Sequence, residues 1–320
     1  YLTYLGGSNY DSASGIAVDD AGAAYMTGLT GISSTDDFPV TAGAAQTAFG
    51  GASDAYVAKL TPDGASLVYS TYLGGSESYD GGIGIAVDAT GNAYVCGGTS
   101  QHFPVVNAIQ PLPAGSAEGF VAKLNAAGSA VVYATYLGGH GDDTCTGIAL
   151  TNDGGVALSG FTTSTDFPTV RPTQAANGGA DDAFVAVLNA TGSALSFATY
   201  LGGSDNDYAY GVAADPAGHV FASGATSSPD LPVVNAVDSS HCDESTAACP
   251  DGFVFEIDPS AGTVVYCTYL GGGGFDQCLS ISVDSSGSAY VTGSTTSPDF
   301  PSVNPIPGGS GSGSEVFVTS

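Results

Sequence analysis

An all-β fold, a five-bladed β-propeller with four antiparallel strands per blade, is what the 320-residue sequence predicts. Three observations carry that expectation. The stretch Thr-Tyr-Leu-Gly-Gly occurs five times, beginning at Thr3, Thr71, Thr135, Thr199 and Thr268, and each copy is followed by the same succession of segments. Such self-similarity at a near-constant period marks a repeat architecture, in which each unit buries its apolar faces against its neighbours. Each period contains four short apolar runs bounded by turn residues, and no run has sustained 3.6-residue apolar spacing. Finally, the two ends complement each other in the repeat, with Tyr1 at the position of Tyr69 and Ser320 at that of Lys59.

The second repeat shows the elements in order. Gly84–Asp88 alternates briefly as the first, innermost strand and stops at the turn Ala89-Thr90-Gly91. The return strand is Asn92–Gly97. A polar, Pro-containing connection follows from Gly98 to Ala117, then the third strand, Glu118–Leu124. After the turn Asn125–Gly128, the fourth and outermost strand, Ala130–Leu137, ends at Gly138-Gly139. Four-stranded antiparallel units of this kind are propeller blades. One domain over residues 1–320 is expected, with residues 1–5 supplying the outermost strand of the blade formed by 280–284, 288–293 and 315–320, so that the ring is tied shut. Because Tyr1 opens inside a strand motif, the chain reads as a processed or excised part of something longer.

Gly-Ile-Ala-Val-Asp at Gly15–Asp19 and Gly84–Asp88, Asp-Phe-Pro at Asp37–Pro39, Asp166–Pro168 and Asp299–Pro301, and the strands Asp54–Leu60 and Glu118–Leu124 recur in one order. In these residues the chain resembles the SBBP-type β-propeller repeats of secreted bacterial and archaeal proteins. Thr151 in place of the terminal Asp and Leu231-Pro232 in place of Phe-Pro depart from the pattern. The resemblance implies an extracellular β-propeller module and brings no catalytic residue set with it.

Charge narrows the partners. The chain has 31 acidic residues against Lys59, Lys123 and Arg171, a formal charge of −28. With no basic patch to release phosphate counterions, nucleic acid is not a partner, and no apolar run is long enough to insert into a membrane. Divalent cations and cationic partners are attracted instead. Asp11, Asp80, Asp143, Asp207 and Asp276 stand four residues before each inner strand, and Asp142 and Asp205 add oxygens to two of these loops. Two readings apply: a carboxylate ring near the axis that takes Ca²⁺, or braces that accept backbone N–H bonds in their own loops. No cofactor is required in either case.

The Phe-Pro residues Phe38, Phe103, Phe167 and Phe300, with Leu231 as the variant, read as anchors tucked under the long connections. Six cysteines suit an oxidising compartment, with Cys242–Cys249 stapling the insertion His241–Pro250, Cys96–Cys145 joining neighbouring blades, and Cys267–Cys278 as the remaining pair. No Cys-x-x-Cys pair is present and the four histidines are dispersed, so the cysteines are not read as metal ligands. Asn189-Ala190-Thr191 is a glycosylation sequon in a hairpin turn.

Catalysis finds little support. The Gly/Ser stretch from Gly309 to Gly313 reads as loop without the elbow of a nucleophilic serine, and Trp platforms for sugar rings are lacking. The outer strands Leu67–Leu73, Val131–Leu137 and Val264–Leu270 carry no charge, although exposed edges are normally protected by Lys, Pro or bulges. The expectation is therefore a non-enzymatic, extracellular, cell-surface structural protein, adhesive or filament-forming through edge-strand or terminal-strand exchange. Its partners are other copies of itself, other surface proteins and covalently attached glycans. The alternative is a propeller that binds Ca²⁺ or a cationic partner on its loop face, and the third reading is a hydrolase using paired Asp residues.

Overall fold

The computed structural model describes residues 1–32, 36–76, 79–242, 249–303 and 313–320. Among these residues every regular element is a strand, and the strands form five antiparallel sheets in chain order. The first sheet holds β1 (Asp11–Val18), β2 (Ala24–Thr30), β3 (Asp54–Leu60) and β4 (Leu67–Leu73); the second β5 (Asp80–Val87), β6 (Ala93–Thr99), β7 (Glu118–Leu124) and β8 (Val131–Leu137). The third holds β9 (Asp143–Leu150), β10 (Val156–Thr162), β11 (Asp182–Leu188) and β12 (Leu195–Leu201); the fourth β13 (Asp207–Ala214), β14 (Val220–Thr226), β15 (Asp251–Asp258) and β16 (Thr263–Leu270). The fifth has three strands, β17 (Asp276–Val283), β18 (Ala289–Thr295) and β19 (Glu315–Thr319).

Turn chemistry explains why each run reverses where it does. At the first turn of the second sheet, Gly91 adopts φ 84°, open to glycine at little cost, and Asp88 Oδ1 accepts the N–H groups of Thr90 and Asn92. The hairpin before β8 reverses at Gly128, φ 64°.

The first strands begin earlier than the sequence reading placed them: β5 starts at Asp80, not Gly84. The register slips by one residue between Gly82 and Gly84, and the same slip recurs at Ser14, Thr146, Tyr210 and Leu279 in the other sheets. Such a bulge puts the alternation before and after it out of phase, which hides the front half of the strand from a period-two reading.

Cores lie between sheets. Tyr25, Val57 and Tyr69 of the first sheet pack with Val95, Phe120 and Tyr136 of the second, and equivalent clusters join the second to the third, the third to the fourth and the fourth to the fifth. Successive first strands β1, β5, β9, β13 and β17 touch one another, so they are the inner strands of the array. Phe103 and Phe167 are buried against Phe120 and Phe184, with ring centroids 4.5 Å apart in both cases, and Leu231 is buried at the equivalent place.

Thr-Tyr-Leu-Gly-Gly holds these parts together. The Thr135 and Thr199 hydroxyls exchange hydrogen bonds with backbone groups of Gln110 and Gln174 in the long connection. Tyr200 Oη accepts the Phe167 N–H at 2.8 Å and donates to Ser164 O at 2.8 Å, and Tyr269 does the same with Leu231 and Ser228.

Closure of the ring is not shown. The last sheet lacks its fourth strand, residues 1–5 belong to no strand, and nothing comparable to the contacts between other successive inner strands joins β17 to β1. Of the expected disulfides, Cys242–Cys249 is formed. Cys96 and Cys145 are neighbouring buried thiols, and Cys267 and Cys278 belong to different cores, so these two expected bridges are absent. In the insertion His241–Pro250 residues 243–248 lie outside the described residues, as does all of the Gly/Ser stretch 309–313 except Gly313.

Replacing Tyr200 by Phe leaves the buried Phe167 N–H and Ser164 C=O without partners. The expected loss is about 2 kcal/mol, measured by thermal melting, whereas the exposed Tyr4→Phe stays within about 0.5 kcal/mol.

Candidate functional site

The most chemically distinctive feature is a set of buried carboxylate pairs, one at each junction between sheets. Asp80, Asp143, Asp207 and Asp276 begin the inner strands β5, β9, β13 and β17 and are at most 1% exposed; Asp11 begins β1 and is half-buried. Each accepts a backbone N–H from the second glycine of the preceding Thr-Tyr-Leu-Gly-Gly: Gly7 to Asp11, Gly75 to Asp80, Gly139 to Asp143, Gly203 to Asp207 and Gly272 to Asp276, at 2.7–2.9 Å. Hydroxyls add to this: Thr30 on Asp11, Thr99 on Asp80, and Ser164, Ser228 and Ser297 on Asp143, Asp207 and Asp276.

Each of the four buried residues faces a carboxylate of the preceding sheet, not another member of the expected ring. The partners are Asp54, Glu118, Asp182 and Asp251, the first residues of β3, β7, β11 and β15. The first glycine of the motif lies between them. A β-carbon on Gly138 would overlap both Glu118 Oε2 and Asp143 Oδ2, and one on Gly271 would collide with Asp251 Oδ1 and crowd Asp276 Oδ2. Asp142 and Asp205 are exposed; Asp142 accepts from Ser116 Oγ and Asp205 from the Asn206 N–H, and neither enters a pair. Asn189 sits in its hairpin with its amide bonded to Ser193 and Thr191.

The partner carboxylates were missed in the sequence, although the signal was there: an acid opens every third strand. In three sheets a glutamine eight residues earlier serves it. Gln46 Nε2 donates to Asp54, Gln110 Nε2 to Glu118 and Gln174 Nε2 to Asp182.

The protein's own cations are committed elsewhere. Lys59 pairs with Asp19 at 3.1 Å and stands over the Tyr25 ring; Lys123 does the same with Asp88 and Tyr94. Arg171 bonds the carbonyls of Ser196 and Ser260, bridging third and fourth sheets. With no cation nearby, burial pushes Asp54 up to about 7 against the Gly50 hydrogen bond, and the charges of Asp80 and Asp36 raise it further. Asp207 is pushed up to about 6 by burial, against hydrogen bonds from Thr226, Gly203 and Ser228, with Asp182 adding to the rise. Glu118, Asp80, Asp143 and Asp182 are raised by burial in the same way.

Asp54 and Asp207 hold a proton in the folded chain where a free carboxylate has lost it. Their contribution to stability is complete below about pH 4 and is lost as pH rises through the folded values of about 6 to 7. Asp284, held near 2 by hydrogen bonds from Ser286 and Ser288, acts in the opposite sense, below about pH 4. Melting is expected about 5 °C lower at pH 8 than at pH 5, with the difference reduced in Asp54→Asn. Equal or higher melting at pH 8 would overturn this account of the pairs.

No curated protein matches the chain. Among solved structures it is similar to a crystal structure of glucose dehydrogenase, at 11% identity and a TM-score of 0.38, over 91% of this chain and 95% of that one. The expectation that the chain is not an enzyme is corrected by this finding, since an enzyme stands among the structures it is similar to. At that level of likeness no substrate and no catalytic residue carries over. The β-propeller repeat family SBBP matches the chain in three regions, residues 1–34, 68–104 and 265–301, each containing a Thr-Tyr-Leu-Gly-Gly motif.

Proposed function

We propose that the chain is an extracellular surface module whose copies join end to end, Thr3–Leu5 of one copy completing the sheet of β17, β18 and β19 in the next. The observation that carries this is the complementarity of two uncovered surfaces. Tyr290, Val316 and Val318 are 45%, 83% and 73% exposed, while Tyr25, Ala55 and Val57, their repeat equivalents in the first sheet, are 0% exposed. The fifth sheet therefore presents an uncovered blade face.

At the other end, Tyr1 packs on the Gly64 hairpin as Tyr69 packs on Gly128 and Tyr133 on Gly192. Residues 1–7 thus stand toward the first sheet as an outer strand stands toward the sheet that follows it. In complete sheets the residues equivalent to Leu2 and Tyr4, Ala134 and Tyr136, pack backward onto the preceding sheet. Leu2 is 99% exposed and Tyr4 103%. An apolar cavity of about 410 Å³, lined by Tyr266, Tyr269, Leu270, Val291 and Thr319, lies beside β16 and β19 and has the character to receive them. Strand addition of this kind draws affinity from main-chain hydrogen bonds and specificity from alternate side chains. The Cys242–Cys249 disulfide supports the extracellular setting.

The five-bladed ring closed by residues 1–5 is the same contact made within one molecule. Light scattering across a concentration series, on the chain and on Leu2→Asp/Tyr4→Asp, separates the cases. Concentration-dependent multimers that the double variant reduces to monomer are expected. A monomer whose melting falls in the variant indicates closure within one copy, and a monomer indifferent to the variant defeats both.

A second reading, Ca²⁺ or a cationic partner on the loop face, is supported by the −28 charge and the engagement of all three basic side chains. It predicts that Ca²⁺ raises, and EDTA lowers, the melting temperature by several degrees.

A further inference from the structure

Three junctions share one arrangement, and the fourth departs from it. In the first three sheets Gln46, Gln110 and Gln174 each donate Nε2 to the carboxylate that opens the third strand, and accept the N–H of Gly74, Gly138 or Gly202 on Oε1 at 3.0–3.1 Å. Their own N–H groups bond Thr71, Thr135 and Thr199 Oγ1. In the fourth sheet the residue whose N–H bonds the motif threonine, Thr268, is Asp238, at 2.8 Å. A carboxylate has no amide to give. Asp251, 2% exposed, therefore loses the donor its equivalents have; its Oδ1 has no hydrogen-bond partner, as is also true of Asp54 Oδ1 at the first junction, but only here, among the described residues, does an unpartnered imidazole nitrogen, His241 Nε2, stand beside it.

The insertion brings His241 to the same place. Its Nε2 is buried without a hydrogen-bond partner, and the ring is held edge-on to Tyr269 at 5.6 Å. A cavity of about 320 Å³ opens there, lined by Asp238, His241, Asp251, Asp299 and the backbone of Gly271–Gly273. Ligand atoms of His241 and Asp251 lie within 4.8 Å of each other. Cys242 lies within the same distance, but its sulfur is bonded to Cys249 and is no thiolate; its N–H donates to Asp251 Oδ2 and fixes that side chain.

A buried carboxylate held, among the described residues, by a single hydrogen bond and facing no cation is costly, and three further acids, Asp238, Asp276 and Asp299, add their charge to it. A proton would relieve Asp251 but leave His241 Nε2 unused. Calcium takes oxygen donors and has no use for imidazole, whereas zinc-class ions accept imidazole and carboxylate together.

We propose that the junction of the fourth and fifth sheets is a site for one divalent transition cation of the zinc class, held by His241 Nε2 and Asp251 Oδ1 with the carboxylates of Asp238 and Asp299 in the same cavity. The other junctions have glutamine in place of Asp238 and no counterpart of His241, and are not such sites; His140, near Glu118 at the second junction, is exposed and already bonded to Asp166. The site includes neither Leu2 nor Tyr4, although Tyr269, packed on His241, also lines the cavity offered to them.

Zn²⁺ titrated calorimetrically at pH 7 into chelator-treated, non-reduced protein is the experiment, with melting as a second readout. One equivalent is expected to bind, at least tenfold more weakly in His241→Gln and in Asp238→Gln, and unchanged in His140→Gln and His219→Gln. Asp238→Gln restores the residue found at the other junctions; it is expected to melt higher than the parent without Zn²⁺ and to lose the rise that Zn²⁺ gives the parent. Absence of saturable binding, binding indifferent to both His241→Gln and Asp238→Gln, or Ca²⁺ binding as tightly as Zn²⁺ would each overturn the proposal.

Discussion

The structure depends on a hydrogen bond that crosses from each outer strand to the next inner one. The second glycine of every Thr-Tyr-Leu-Gly-Gly gives its N–H to the aspartate that opens the following strand, so the end of one sheet fixes the start of the next. The bond to a charged or partly charged acceptor is stronger than a neutral one, and burial removes competing water. The first glycine is constrained at the same place: the space a side chain would fill is occupied by two carboxylates at Gly138, Gly202 and Gly271 and by one at Gly6 and Gly74. Glycine at this position answers a close approach between elements, since φ there is not in the left-handed region.

That arrangement brings negative charge together. A chain with −28 formal charge and three basic side chains cannot neutralise each junction with a cation, and it does not try to. Glutamine amides, backbone N–H groups and hydroxyls surround most of the carboxylate oxygens in the first three junctions, and protonation shares the remainder. The fourth junction exchanges its amide for a further carboxylate and gains an imidazole. The backbone bond from Asp238 to Thr268 is kept across this change, while the insertion that follows supplies His241 and the Cys242 N–H.

Much of the fold was legible in the sequence, and the exceptions have physical causes. β7, Glu118–Leu124, is legible to the residue because it is a short, nearly continuous buried run with no register slip against β6 and an Asn-Ala-Ala-Gly turn after it. β5 was shortened by four residues because the bulge at Ile83 reverses the phase, so the aspartates read as loop residues before a strand are the first residues of one. Of the site, the periodic aspartates are visible in the sequence; Asp54 and Glu118 read there as ordinary strand ends. Which carboxylates meet across a junction depends on stacking of sheets distant in sequence, and no local pattern encodes that. Cys242–Cys249 forms as expected, but the Cys267–Cys278 pair fails for a related reason: the two are close in sequence but face different cores.

The ends of the array obey the same rules as its middle. Within each complete sheet the outer strand alternates, one set of side chains packing back on the preceding sheet and the other forward on the next: Ala134 and Tyr136 go back, Tyr133 and Leu137 forward. Residues 1–5 keep that alternation with only the forward side satisfied, Tyr1 against Gly64 and Leu5 against the Phe38 cluster. Leu2 and Tyr4 are left in water by the pattern itself, not by local disorder of the register. Residues 1–5, satisfied on one side only, and a fifth sheet of three strands are what the repeat leaves open at its two ends. The surface that remains open is therefore defined by the repeat, because it is the face that every other sheet of the array buries against a neighbour.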